Sequence, residues 1–377
     1  MKILLIGEYS RLHNSLKEGL LELNYKAYIK GFNDGFKNYD IDFKLQKKWD
    51  DGIRRKIKIG IYKLTSFDIS SYLTYRQFFK NKGHFINFDI VQLVNENSFY
   101  CQPYFEKKIL KFLFKKNKKV FLLSCGLDYL NVKYIFEHPE EKSIILPYLL
   151  GKVKKNNFLN VLKFRKKSFE RLHDYIFKHI SGVIASDFDY HSPLKDNSKY
   201  LGLIPNPINT KTLKFETLVI SNKIVIFLGI NNESYFKKGS DYFEDALKII
   251  EKKYSDKVDI VITRSVPYAE YINLYNSCHI LLDQVHALDQ GYNALEAMAK
   301  GKVVFTGAES EFYEYYKLSE QVCINAKPNL NYLVNELSFL IENPQEIIEI
   351  GRRAREFIEK EHDYIKVAQK YINIWNY

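Results

Sequence analysis

With 377 residues, 46% hydrophobic and 27% charged, the chain is long enough for two globular domains and too apolar for an intrinsically disordered one. Its four cysteines, Cys101, Cys125, Cys278 and Cys323, form no CxxC pair, which argues against a disulfide scaffold or zinc ribbon and for a reducing compartment. The net charge of +12 is uneven: residues 1–180 hold 35 Lys and Arg against 18 Asp and Glu, giving +17, whereas residues 181–377 hold 22 against 27, giving −5. A basic first half calls for an anionic partner, whether phosphates, nucleic acid or an anionic membrane surface.

Residues 2–7 (KILLIG) read as a buried strand, followed by a loop over 8–13 and a helical pattern over 14–23. This is the opening of a Rossmann-like unit, but the loop lacks GxGxxG, so the dinucleotide fingerprint is absent. Gly7 and Glu8 end that strand, where open α/β sheets place ligands. The start resembles no signal peptide, and no apolar run approaches the roughly 18 residues of a membrane span. A cytoplasmic protein is expected. Further strands are expected over 88–94, 120–124 and 182–186, with a long basic helical stretch over 158–177. The run 152–178 interleaves Phe, Leu and Tyr with Lys and Arg, a pattern suited to an anionic membrane surface, to a nucleic-acid groove or to a solvated helix face. Asp187-Phe188-Asp189 is a DxD triplet, common by chance, and the nine histidines show no ligand spacing, so no metal site is expected.

Residues 204–209 (IPNPIN) have two prolines and no helical period, marking a linker. Beyond it, strands over 224–229, 258–263, 280–282 and 303–306 alternate with helices over 241–254, 268–277 and 293–300. Two helical patterns follow from Pro344, closing on the aromatic-rich 371–377. The alternation predicts a second parallel, doubly wound sheet. The expected fold is therefore α/β, with two Rossmann-like domains facing each other across a cleft: residues 1–204, residues 205–362, and a helix over 363–377 packing back on the first.

The densest stretch is 289–307, DQGYNALEAMAKGKVVFTG. Gly291 precedes a helix, so the N–H groups of Gly291, Tyr292 and Asn293 can face an anion at a positive helix end. Glu296 falls in the first turn of the expected helix, where its carboxylate can accept hydrogen bonds from the vicinal hydroxyls of a ribose. Ala297, Ala299 and Gly301 are small enough to let the helix approach its sheet. From the residues alone, a capped helix stabilised at its N-terminal end by Glu296 is the favoured reading.

Residues 295–304 (LEAMAKGKVV) resemble the signature of GT-B glycosyltransferases, most closely the retaining family-4 group. Other pieces keep that family's order. Residues 204–209 resemble its interdomain segment, and Phe227–Gly229 followed by Lys237-Lys238-Gly239 resembles its lysine–glycine loop. Residues 267–277, with Leu274-Tyr275, and residues 351–360, with His362, resemble two of its later helices. Residues 125–129 (CGLDY) resemble, more loosely, a cleft-facing loop in which many relatives carry His where Cys125 stands. The resemblance implies a nucleotide-sugar site made by Gly229, Asn231, Lys238, Arg264, Asp289, Gln290, Gly291, Tyr292, Asn293 and Glu296. Gly7, Glu8, Cys125, Gly126 and Asp128 would lie on the acceptor side, with Asp128, Lys238 and Glu296 in catalysis. Two departures stand out: Leu288 occupies the place of a family acid, and Ile230-Asn231 that of a loop arginine. The expected function is sugar transfer from a nucleotide-diphosphate sugar to a glycan, lipid-linked or protein-linked acceptor. Retention of configuration is implied, without metal or cofactor, and with peripheral contact to an anionic membrane. The alternatives are a sugar-nucleotide epimerase or inactive binding subunit of the same fold, and, further off, a nucleic-acid-binding protein.

Overall fold

The computed structural model describes residues 1–37 and 39–376; Asn38 and Tyr377, the last of the aromatic-rich tail, lie outside the described residues. The chain forms two compact units. The first is assembled from Met1–Tyr134, Leu159–Pro207 and Tyr364–Tyr377, the second from Ile135–Phe158 and Ile208–Asp363.

The first unit is built on a seven-stranded sheet of β1 (Lys2–Ile6), β2 (Lys26–Gly31), β3 (Phe43–Lys44), β4 (Ile90–Leu93), β5 (Lys119–Ser124), β6 (Gly182–Ala185) and β7 (Tyr200–Leu203). The order is β3-β2-β1-β4-β5-β6-β7 and every pairing is parallel. Ile3, Leu4, Leu5 and Ile6 are all fully buried, as an uninterrupted apolar run requires of a strand covered on both faces. The order reverses between β1 and β4, opening a crevice at their C-terminal ends. Helix Leu12–Glu22 packs closely on the C-terminal helix Tyr364–Asn376, because Gly19 carries no Cβ: one placed there would lie 2.2 Å from the Tyr364 carbonyl oxygen.

The second unit holds β8 (Ile224–Ile230), β9 (Val258–Arg264), β10 (Ile280–Leu282), β11 (Val303–Thr306) and β12 (Ile324–Asn325). These run parallel in the order β12-β11-β10-β8-β9, with the reversal between β8 and β10. Two parallel, doubly wound α/β sheets thus match the expected fold class.

Several local expectations change. Residues 135–158, read as part of the N-terminal domain, belong to the second unit, anchored by polar contacts. Lys142 pairs with Glu309 at 2.6 Å and donates to Ala326 O at 3.0 Å, and Lys152 donates to the Tyr242 hydroxyl at 2.5 Å. The stretch 158–177 is not one helix. Short turns over Lys155–Phe158, Leu159–Leu162 and Lys163–Arg165 precede the helix Lys167–His179, with Lys166 extended between them at ψ 142°. Phe158, Val161, Phe164 and Phe169 are buried. The helix expected over 293–300 begins at Tyr292, so Glu296 stands in its second turn, past the dipole end that the simpler reading needed.

Candidate functional site

In the second unit the reversal point gathers the ends of β8 and β10. After β8, Asn231 caps a single turn by accepting from Glu233 N at 3.0 Å, and a four-residue helix Tyr235–Lys238 ends at Gly239 in the left-handed region, φ 71°. A Cβ at Gly239 would sit 2.7 Å from Val285 Cβ, so only glycine lets this loop meet the β10 loop. Val285 N donates to Lys238 O at 2.7 Å, which fixes the lysine. Its Nζ then reaches Asp283 Oδ1 at 2.9 Å. The Asp283 side chain is 2% exposed and that of Lys238 34%, so the carboxylate is the anchor and the ammonium faces outward.

Asp283 also accepts from Asn293 Nδ2 at 3.1 Å. Tyr271 OH donates to Asn293 Oδ1 at 2.9 Å and Tyr275 OH to Asn293 O at 2.8 Å, tying the start of helix Tyr292–Ala299 to the helix Tyr268–Ser277. Gly229 makes room for the Tyr271 ring, which a Cβ would meet at 2.4 Å. Gly291, the residue before the helix, lies beside Asp283 and Gln284. The loop between is held by Gln290 Nε2 on Gly307 O at 2.8 Å and by Asp289 Oδ1 on Gln290 N at 2.7 Å. Glu296 is buried, and its charge bears on Tyr275, Tyr271 and Lys300.

Buried polar atoms here face no partner among the described residues: Asp283 Oδ2, Gln290 Oε1, Thr306 Oγ1 and both ring nitrogens of His286. Burial lowers the His286 pKa to about 4, and the Lys142 and Lys152 charges push the same way, so the ring is neutral. Native interiors rarely leave such atoms unpaired, and a cluster of them at a sheet's reversal point marks a place for a polar ligand.

Arg264 ends β9, the edge strand beside β8, where it pairs with Glu244 and stacks 5.6 Å from the Tyr235 ring. Lys238 and the helix start are brought together by Asp283, and Arg264 lies against Tyr235, in the same short helix as Lys238.

In the first unit, Gly7 (φ 80°) and Glu8 follow β1. Glu8 Oε2 accepts from Asn14 N at 2.8 Å and Nδ2 at 2.6 Å, while Oε1 is buried with no partner among the described residues. Burial pushes the carboxyl up to about 7 against the Asn14 bonds. His13, bonded to Gly7 O at 2.6 Å, is lowered by burial to about 4. Cys125 and Gly126 follow β5, with Asn95 Nδ2 donating to Cys125 O at 3.0 Å and Leu127 O at 3.3 Å. The Cys125 thiol is buried and its pKa raised, so it stays protonated. Asp128 accepts from Asn131 N at 2.7 Å and from Ser124 Oγ at 3.2 Å. Burial, with Glu96 nearby, raises its pKa, and Glu96 in turn bonds His173 Nδ1 at 2.6 Å. Asp128 is thus a buried residue immediately before helix Tyr129–Glu137. Asp187 precedes helix Phe188–Leu194, and Ser186 Oγ donates to it at 3.0 Å. Neither acid of the DxD triplet joins a three-ligand group among the described residues; the group that forms is His138, Glu140 and Glu141.

Asp283, Tyr271, His286 and Lys142 were not singled out in the sequence. Asp283 had a signal, since it immediately follows a recognisable strand at the end where α/β sheets bind; Lys142 had none.

Residues 237–373 match the family described as Glycosyl transferase-like. Among curated proteins, none matches the chain in sequence. The sucrose-phosphate synthase of Thermosynechococcus elongatus superposes with a TM-score of 0.61 at 14% identity, over 100% of this chain and 98% of that one. HepE of Anabaena, solved with UDP-glucose, gives 0.56 at 12% over 99% and 98%. The UDP-GlcNAc 2-epimerase of Neisseria meningitidis, solved with UDP-GlcNAc, gives 0.52 at 13% over 99% of each chain. The chain thus carries, over residues 237–373, a match to a glycosyl transferase-like family, and its two Rossmann-like units share the GT-B fold of these solved structures.

Proposed function

We propose that the chain moves a sugar from a nucleotide-diphosphate sugar, bound at the reversal point of the second unit, to a glycan, lipid-linked or protein-linked acceptor. The observation that carries this is the Lys238–Asp283 pair beside Asp283 Oδ2, the His286 ring nitrogens and Gln290 Oε1, which face no partner among the described residues. The lysine supplies positive charge for the diphosphate, and the N–H groups at Gly291–Asn293 add oriented donors. Glu296 would take the ribose hydroxyls and Asp289 and Gln290 the sugar side. Charge that develops on the departing diphosphate is then met by lysine and backbone, without a metal ion, and transfer proceeds with retention in surface-glycan or glycoconjugate assembly. The reaction would take place in the cytoplasm.

The test is a thermal-shift screen against UDP, GDP, dTDP, CMP and ADP, with and without EDTA. UDP heads the set because HepE was solved with UDP-glucose. A bound nucleotide at about 100 times its Kd adds about 2.7 kcal/mol, a rise of several degrees in Tm. The rise survives EDTA and is lost in Glu296→Ala, whose transfer rate falls about 100-fold or more while folding persists. No shift with any nucleotide at millimolar concentration sinks the donor site. The alternative, an epimerase, draws on Leu288 in place of the family acid and on the fold of the Neisseria enzyme. It predicts a 2-epimer of the donor sugar and no glycoside product.

A further inference from the structure

The helix Gly52–Thr65 (GIRRKIKIGIYKLT) in the first unit buries none of its residues. Helical spacing aligns Ile53, Ile57, Ile61 and Leu64 in one stripe, and Ile53, Ile57 and Leu64 are 73%, 46% and 89% exposed. The opposite face, with Lys58, Ile59, Tyr62 and Lys63, borders a cavity of about 500 Å³ shared with Tyr100 and Phe169. The apolar stripe therefore points away from the body of the unit, the reverse of an ordinary surface helix. Arg54 and Lys56 flank it, and the helix carries Arg54, Arg55, Lys56, Lys58 and Lys63 with no acidic residue. Lys58 is held by Asp50 at 2.5 Å; the other four have no ion pair among the described residues.

We infer that this helix lies in the interface of an anionic lipid bilayer, with Ile53, Ile57, Ile61 and Leu64 among the acyl chains and the basic residues at the headgroups. Its charge selects this occupant. A second copy of the chain would bring two sets of cations together, whereas anionic headgroups neutralise them while the acyl boundary takes the stripe. No helix among the described residues is long and apolar enough to cross a membrane, so the element rests in the interfacial plane. The run 152–178, which the sequence offered for this role, is divided between the two units and turns Phe158, Phe164, Phe169 and Leu172 inward. The inference does not rest on the sugar-transfer reading, and its test reads lipid binding in place of activity.

The full chain is co-sedimented with phosphatidylcholine vesicles, plain or containing about a third phosphatidylglycerol. Binding is expected only to the anionic vesicles and weakens as salt is raised. Ile53→Glu with Leu64→Glu, both at exposed positions, leaves the circular dichroism and Tm unchanged and weakens binding at least about tenfold. Arg54→Gln with Lys56→Gln weakens it about fivefold per residue. Absence of binding to anionic vesicles, or equal binding by the Glu double variant, overturns the inference. So does a dimer in sedimentation velocity that the Glu double variant dissolves while vesicles go unbound, since the stripe would then join copies of the chain.

Discussion

Glu8 sits at the C-terminal end of β1 with one carboxylate oxygen bonded to Asn14 and the other facing no donor among the described residues. Burial raises its pKa from 4.5 to about 7, so the folded state binds a proton that the unfolded chain has released over that interval. A raised carboxyl stabilises the fold at low pH, and that contribution fades as pH rises from about 4.5 through about 7. Its size is about 3 kcal/mol at most. Glu8→Gln, neutral at every pH, should remove this slope: wild-type Tm falls between pH 5 and 7.5, and the variant's falls less and lies higher at pH 8. Parallel melting curves for the two proteins across that range would refute the assignment. Asp128 and Cys125 share the same edge of the sheet, and burial raises their pKa values too, so the carboxyls of this rim take up protons at higher pH than their residue types alone suggest, and the thiol stays protonated.

At the scale of elements, the loop over 287–289 is shaped by a glycine that lies one helix and one strand further along the chain. A Cβ at Gly307 would lie 2.5 Å from both Ala287 O and Asp289 N, backbone atoms that cannot step aside. Gly307→Ala should cost about 1–3 kcal/mol in stability and shift Gln290, whose amide is bonded to Gly307 O. The nucleotide-dependent rise in Tm should shrink with it; an undiminished rise would show that the loop does not shape the site. Both sheets were legible because β1, β5, β8 and β11 are unbroken apolar runs, which strands buried on both faces must be. β3 and β12, two residues each, carry too short a pattern to see, and β2 alternates weakly with lysines at its ends. The motif from Leu295 to Val304 pointed to the region where Lys238, Asp283 and the start of helix Tyr292–Ala299 meet, whereas the order of the strands about β8 leaves no mark in the sequence. The excursion of Ile135–Phe158 into the second unit was invisible: it is held by lysines whose partners lie far along the chain, and such contacts leave no period.

For the whole molecule, the decisive fact is that the first unit takes one of its helices from the far end of the chain. Tyr364, Val367, Ala368, Tyr371, Ile372 and Trp375 of that helix are buried. At about 1.5–3 kcal/mol per large apolar side chain, their burial is worth on the order of 10 kcal/mol, comparable to the full stability of a domain. A chain ending at Asp363 should therefore lose cooperative melting of the first unit while nucleotide still stabilises the second. Retention of both transitions would show the helix to be dispensable. The same arrangement sets a schedule on the ribosome. The second unit has all its residues once Asp363 is made, but the first must wait, its sheet finished at Leu203 and one face of helix Leu12–Glu22 uncovered, until residues 364–376 emerge. At ordinary elongation rates that wait lasts roughly 10–30 s. The half that begins translation is thus the half that finishes folding last, and for that interval its apolar surface is open to chaperones.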